Sequence, residues 1–239
     1  MMMDYEMKAQ AEFKAWERKI YKKNRLMNRY MKSIQTKINN KIPERIHDII
    51  TSSMKQMVKA VLLGSEYTTN PQPLLDISLE EREQKVKEKI KVYQRMASIE
   101  GAGTGAGGLL LGAVDFPLLL SIKMKFLFEV ASLYGFNVKN YGERVYILLL
   151  FQLAYSSDKK RIEVYEKVKN WRETSSLLHT EPFDWQTWQQ EYRDHIDLVK
   201  LLQLIPGFGA IVGAWANFKL LDELGETAIQ GYRLRIFNK

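Results

Sequence analysis

Apolar residues in this chain recur at helical spacing over long stretches, and strict alternation is scarce. Phe13, Trp16, Ile20, Met27, Met31, Ile34 and Ile38 follow one another at three-, four- and seven-residue steps. At ~100° per residue they fall on one narrow stripe. Lys14, Arg18, Lys22, Arg25, Arg29 and Lys32 fall on the opposite face, so the pattern predicts a basic amphipathic helix. Pro43 suits the first turn of a second helix, running to about Leu63 before Gly64. Further on, Val86, Ile90, Tyr93 and Ala97 share a face, and residues 145–154 are apolar on nearly every side, as in a central buried helix. A later stripe holds Trp185, Trp188, Tyr192 and Ile196, read as core packing or as a lipid-interface belt. The last holds Ile211, Ala214, Phe218, Leu221, Ala228 and Tyr232. About eight helices and no convincing strand predict an all-α, multi-helix globular bundle.

Local punctuation divides the chain. Residues 64–77 read as a loop, with Asn70-Pro71 and Pro73 as breakers. Ser78 and Glu81 have the spacing of a capping box. Gly135 is placed to end a helix in the left-handed conformation. The expected organisation is a basic helical N-terminal region, 1–64, and an α-helical core, 78–239, together one domain at a length of 239 residues.

Charge is unevenly distributed. Residues 1–60 carry 14 Lys and Arg against 6 Asp and Glu, whereas the rest balances at 22 against 22. The whole surplus of +8 therefore lies in the first quarter, which favours phosphate-bearing partners, meaning anionic lipid or nucleic acid. No nucleic-acid-binding motif accompanies it, so an anionic membrane surface is the expected partner. The charged start has no apolar signal-peptide region, which argues against secretion. The absence of cysteine removes disulfides, thiolate metal sites and cysteine nucleophiles.

Glycine is also skewed: six of the 14 lie between Gly101 and Gly112. Gly103-x-Gly105-x-x-Gly108 formally matches a dinucleotide fingerprint, but a helical pattern precedes it where that fingerprint needs a strand. Glycines four apart explain the block better. Gly101 with Gly105, Gly108 with Gly112, and Gly209 with Gly213 in a second block, allow close helix packing. The apolar segments 101–122 and 201–218 are marginal as bilayer spans, being broken by Asp115, Pro117 and Pro206. Helical hairpins that are partly inserted or buried fit both. Asp115, directly before Phe116-Pro117, reads as a helix N-cap, with a pocket or intramembrane carboxylate as the other reading.

One combination is more specific. The run from Gly101-Ala-Gly-Thr-Gly-Ala-Gly-Gly108 to Asp115-Phe116-Pro117, ending at Tyr134-Gly135-Phe136, resembles the EcsC family of bacterial proteins. So do Lys41-Ile42-Pro43-Glu44, Gly64-Ser65-Glu66-Tyr67, and Ile205-Pro206-Gly207-Phe208-Gly209-Ala210 through Asn217. The likeness covers about residues 10–236. That family is named for a gene beside those of an ABC transporter. The resemblance implies a membrane-associated accessory or regulatory protein on the cytoplasmic side of the cell membrane, with transporter subunits as partners. It implies no known reaction and transfers no catalytic residues.

Catalytic constellations are correspondingly thin. The three histidines are His47, His179 and His195; Glu191 and His195 make half a metal site at most. No nucleophile elbow or Walker loop appears. The expectation is therefore a non-enzymatic protein with no cofactor. The alternative is a hydrolase-like enzyme with a site near Asp115.

Overall fold

A computed structural model describes residues 2–22, 44–64, 74, 76–106, 116–156, 158–177 and 209–238. These form eight helices and no strand: α1 (Met2–Tyr21), α2 (Glu44–Leu63), α3 (Leu79–Ala106), α4 (Phe116–Leu133), α5 (Tyr141–Tyr155), α6 (Asp158–Lys169), α7 (Trp171–Leu177) and α8 (Gly209–Phe237). The all-α expectation holds.

Local chemistry sets several boundaries. The Ser78 hydroxyl accepts from the Glu81 amide at 3.3 Å, and the Glu81 carboxylate accepts from the Ser78 amide at 2.9 Å, so the capping box starts α3. Gly135 adopts φ +86°, and the Phe136 and Gly135 amides close back onto Ala131 and Ser132 at 3.0 and 2.9 Å, a Schellman stop for α4. Arginines complete this end and that of α2. Arg82 donates to the Leu133 carbonyl of α4 at 3.1 Å, and Arg144 donates to the Leu62 carbonyl of α2 at 3.0 Å. Cationic donors suit a helix C-terminus, where carbonyls lack partners.

The core is organised on the antiparallel pair α3 and α8. Gln94 bonds Asp222 at 3.1 Å, Ile90 lies against Gly225, and Glu83 bonds Arg233, so one register holds over about three turns. A Cβ on Gly225 would meet Ile90 at 2.7 Å, so the missing side chain is what admits Ile90. Helix α5 is buried through most of its length, as its all-round apolar pattern predicts. Its Tyr146 and Tyr155 hydroxyls donate to the Gly231 and Leu220 carbonyls of α8 at 2.8 and 2.7 Å. Met54, Met57, Val58 and Val61 bury the inner face of α2, while Ala9, Trp16 and Ile20 bury that of α1.

Helix α3 runs into the glycine block, through Gly101, Gly103 and Gly105 to Ala106. Residues 158–177 divide into α6 and α7 at Asn170. One detail differs from the sequence pattern: Phe218 is exposed and Asn217 is buried instead. The register explains this exchange: stepping back four residues from buried Leu221 reaches Asn217, while Phe218 is turned about 100° away. The Trp185, Trp188, Tyr192 and Ile196 stripe lies outside the described residues.

Candidate functional site

Two carboxylates of helix α1 are tied to other helices: Glu12 meets Arg233 at 2.8 Å, and Glu17 accepts from the Tyr165 hydroxyl at 2.6 Å and the Lys169 ammonium at 2.9 Å. The Tyr165 bond is the largest influence holding the Glu17 carboxyl below its ordinary range, ahead of Lys169. Asp4 and Glu6 stay exposed in the first turns of the helix, whereas its second half presents bases outward. Lys14, Arg18 and Lys22 are exposed, beside Lys19, and none of the three has an ion-pair partner among the described residues. Arg25, Arg29 and Lys32 lie outside the described residues. So do Gly108, Gly112 and Asp115, and His179 and His195. Gly101 and Gly105 belong to α3, and Gly209 and Gly213 to α8.

The pole of the molecule toward which α1 runs is apolar. Ala9 and Glu12 lie against Arg233, whereas Trp16 and Ile20 line a pocket with Glu223, Glu226 and Thr227. Helix α1 is therefore antiparallel to α8, and Lys19 and Lys22 approach the level of residue 223. Beyond that level Trp215 and Phe218 are exposed on α8, 57% and 40% respectively. On α3, Val92, Met96 and Ile99 are exposed at four- and three-residue steps, with Lys91 and Arg95 exposed beside them. Arg82 of α3 reaches Leu133 of α4 while Tyr93 packs on Phe126, so α4 runs antiparallel to α3 and exposed Leu118 falls at the same pole. Among the described residues, no helix is long and apolar enough to cross a membrane.

The opposite pole holds buried ionic groups that the sequence pattern did not single out. Arg233 grips Glu83 with Nε and Nη2 at 2.7 and 2.6 Å, and Tyr5 donates to the same carboxylate at 2.7 Å. Glu83 is fully buried and Arg233 nearly so. The Tyr134 hydroxyl faces this pair, and burial followed by the Glu83 charge pushes it well above the usual phenol range. The one available signal was position: Glu83, Val86, Ile90, Tyr93 and Ala97 follow the same three-and-four spacing, so a carboxylate stood on an apolar stripe.

Beside that cluster is an aromatic box. The Arg235 guanidinium carbon lies 3.9 Å from the Phe136 ring centre, 4.5 Å from Tyr146 and 5.9 Å from Trp171. Its Nη1 bonds Glu143 at 2.5 Å, and Tyr232 donates to the other oxygen of that carboxylate at 2.8 Å. Burial, opposed by Arg235, holds the Glu143 carboxyl above its ordinary range. The Tyr134 and Tyr232 rings stack at 5.1 Å behind it. A pocket of about 310 Å³ opens onto the box, between α6, α7 and the end of α8. Among the described residues, no group of three His, Asp or Glu side chains could hold a metal ion. The buried Tyr146 and Tyr232 phenols, pushed upward by burial, act as hydrogen-bond donors and apolar bodies.

Fold and surface together define an all-helical protein with exposed cations on α1 and exposed apolar side chains on α3, α4 and α8. The chain belongs to the EcsC protein family, whose model matches residues 7–237. It is 47% identical to Protein EcsC of Bacillus subtilis (strain 168) over 224 residues, 94% of this chain and 93% of that relative. It is also 30% identical, over 141 residues, to the uncharacterized protein YdbA of the same organism, covering 58% of this chain and 52% of YdbA. No solved structure matches the chain.

Proposed function

We propose that the protein is a non-enzymatic accessory protein that attaches peripherally to the anionic cytoplasmic face of the cell membrane and assists or regulates an ABC transporter there. The observation that supports attachment is the coincidence of unpaired cations and exposed apolar side chains at one pole. Arg18, Lys19 and Lys22 stand just behind Trp215 and Phe218 on the molecular axis. Cations at the headgroup level with aromatic and aliphatic groups slightly deeper are the arrangement that an interfacial protein needs. Carried onward, the α3–α8 register would bring residues 101–106 beside 210–215, so that the small residues of both glycine blocks would let this end taper.

Each cation near an anionic surface contributes about 1 kcal/mol at most. Replacing Lys14, Arg18 and Lys22 together with glutamine should therefore weaken binding to phosphatidylglycerol-containing vesicles by up to roughly a hundredfold. Replacing Trp215 and Phe218 with serine should leave a residue of binding that about 1 M salt removes completely, because salt shortens the screening length to about 3 Å. Unchanged co-sedimentation of both variants would overturn the attachment reading. The transporter link is tested separately, by asking whether transporter subunits co-purify with the protein from membranes dissolved in mild detergent.

A further inference from the structure

The pocket beside the aromatic box has a composition that neither structural support nor membrane attachment uses. Its lining combines apolar Phe136, Val168, Trp171 and Leu234 with three cationic residues, Lys169, Arg172 and Arg235, contributed by three helices. Ser175 and Asn238 complete the lining, which contains no carboxylate. Its volume of about 310 Å³ falls at the small end of the range of ligand pockets, roughly 300–1,000 Å³.

The charge balance is specific. Arg235 is matched by Glu143, and Lys169 by Glu17. Arg172 has no ion-pair partner among the described residues, so one positive charge is uncompensated. Arg235 is also held rigidly: its faces lie on aromatic rings and one nitrogen is on Glu143, while no other hydrogen bond from its guanidinium is made among the described residues. A pre-oriented guanidinium with donors to spare suits a tetrahedral oxyanion. The adjoining rings suit a flat or aliphatic body.

The geometry points to a binding site for a small phosphate monoester, its phosphate held by Arg172, Arg235 and Lys169 and its apolar body laid against Trp171 and Phe136. Two sources carry that chemistry, a soluble phosphate ester or the headgroup of a phosphatidic acid. This site is at the pole opposite Trp215 and Phe218, so it does not depend on the attachment reading.

The test is calorimetric titration of the full chain with phenyl phosphate, inorganic phosphate, benzyl alcohol and dihexanoyl phosphatidic acid kept below its micelle concentration. At least one of the two organic phosphates should bind about tenfold or more tighter than inorganic phosphate or benzyl alcohol, a difference of about 1.4 kcal/mol. The tighter of the two names the source. Arg172→Gln changes an exposed side chain, so the fold should persist, and it should weaken that binding about tenfold. Ser175→Phe, which fills the pocket, should abolish it. Lys14→Gln with Arg18→Gln, which tests attachment, should leave it unchanged. Equal affinity of organic and inorganic phosphate, or undiminished binding by both Arg172→Gln and Ser175→Phe, overturns the assignment.

Discussion

Replacing Arg233 with methionine strips a fully buried carboxylate of its cation. Glu83 then keeps only the Tyr5 hydroxyl on Oε2, and Oε1 loses its Nε donor altogether. A buried carboxylate in that position neutralises itself by taking a proton. For a glutamic acid that costs about 4 kcal/mol at pH 7 and about 1 kcal/mol at pH 5. The first figure agrees with the roughly 3–5 kcal/mol measured when one partner of a buried pair is removed. At about 2–4 °C per kcal/mol for a chain of this size, the melting temperature should fall by roughly 6–20 °C near neutrality. Urea unfolding followed by circular dichroism at both pH values separates the two parts of the effect. The deficit against wild type should shrink by about 3 kcal/mol on going to pH 5, because the proton is then nearly free. Adding Glu83→Leu should recover most of the loss at pH 7, since an apolar pair no longer demands a counter-charge. A deficit under about 1 kcal/mol at pH 7, or one that does not change with pH, would refute the reasoning.

Other consequences are simpler to state. Gly225→Leu should destabilise by at least about 1–3 kcal/mol in the same unfolding assay, because Ile90 already occupies the space beside that backbone; a variant melting like wild type would show that the two helices are not in close contact. Burial raises the Glu143 carboxyl above its ordinary 4.5, so the folded protein binds that proton more readily than the unfolded chain, and the contribution is present at low pH and lost as pH rises through the folded value. The stability of wild type relative to Glu143→Gln should accordingly fall as pH rises above 4.5, and an advantage that grows with pH contradicts the assignment. An N-cap role for Asp115 predicts that Asp115→Asn keeps fold and cellular function while Asp115→Ala loses about 0.5–2 kcal/mol; a folded but inactive Asp115→Asn protein would move the hydrolase reading forward.

Much of this architecture was legible because its signals are local. Ser78 and Glu81 start a helix through groups three residues apart, and Gly135 stops one through bonds closed within six residues. The stripe Val86, Ile90, Tyr93 and Ala97 shows which side of α3 faces inward, since burial obeys the helical period. The buried ion pairs were illegible for the opposite reason. Glu83 and Arg233 are 150 positions apart, and nothing near either residue names the other. Burial of Asn217 in place of Phe218 depends likewise on the phase at which α8 meets α3, which the later anchors Leu221, Leu224 and Ala228 decide. The basic stripe was legible as a face, whereas the engagement of Glu12 with Arg233 and of Glu17 with Lys169 depends on the third dimension.

The pairing of α3 with α8 also sets a clock on biosynthesis. At roughly 5–20 residues per second, the 150 positions between Glu83 and Arg233 take about 8–30 s to translate. For that interval α3 is out of the ribosome without the helix that covers it, while Val86, Tyr93 and Ala97 have no partner from α8 and the Glu83 carboxylate has no guanidinium. Helix formation itself takes about a microsecond, so the nascent chain waits as formed helices lacking a closed core. Folding of this protein is therefore governed by the arrival of its last helix, and a chaperone that shields α3 during that wait should raise the yield more than any change that speeds helix formation.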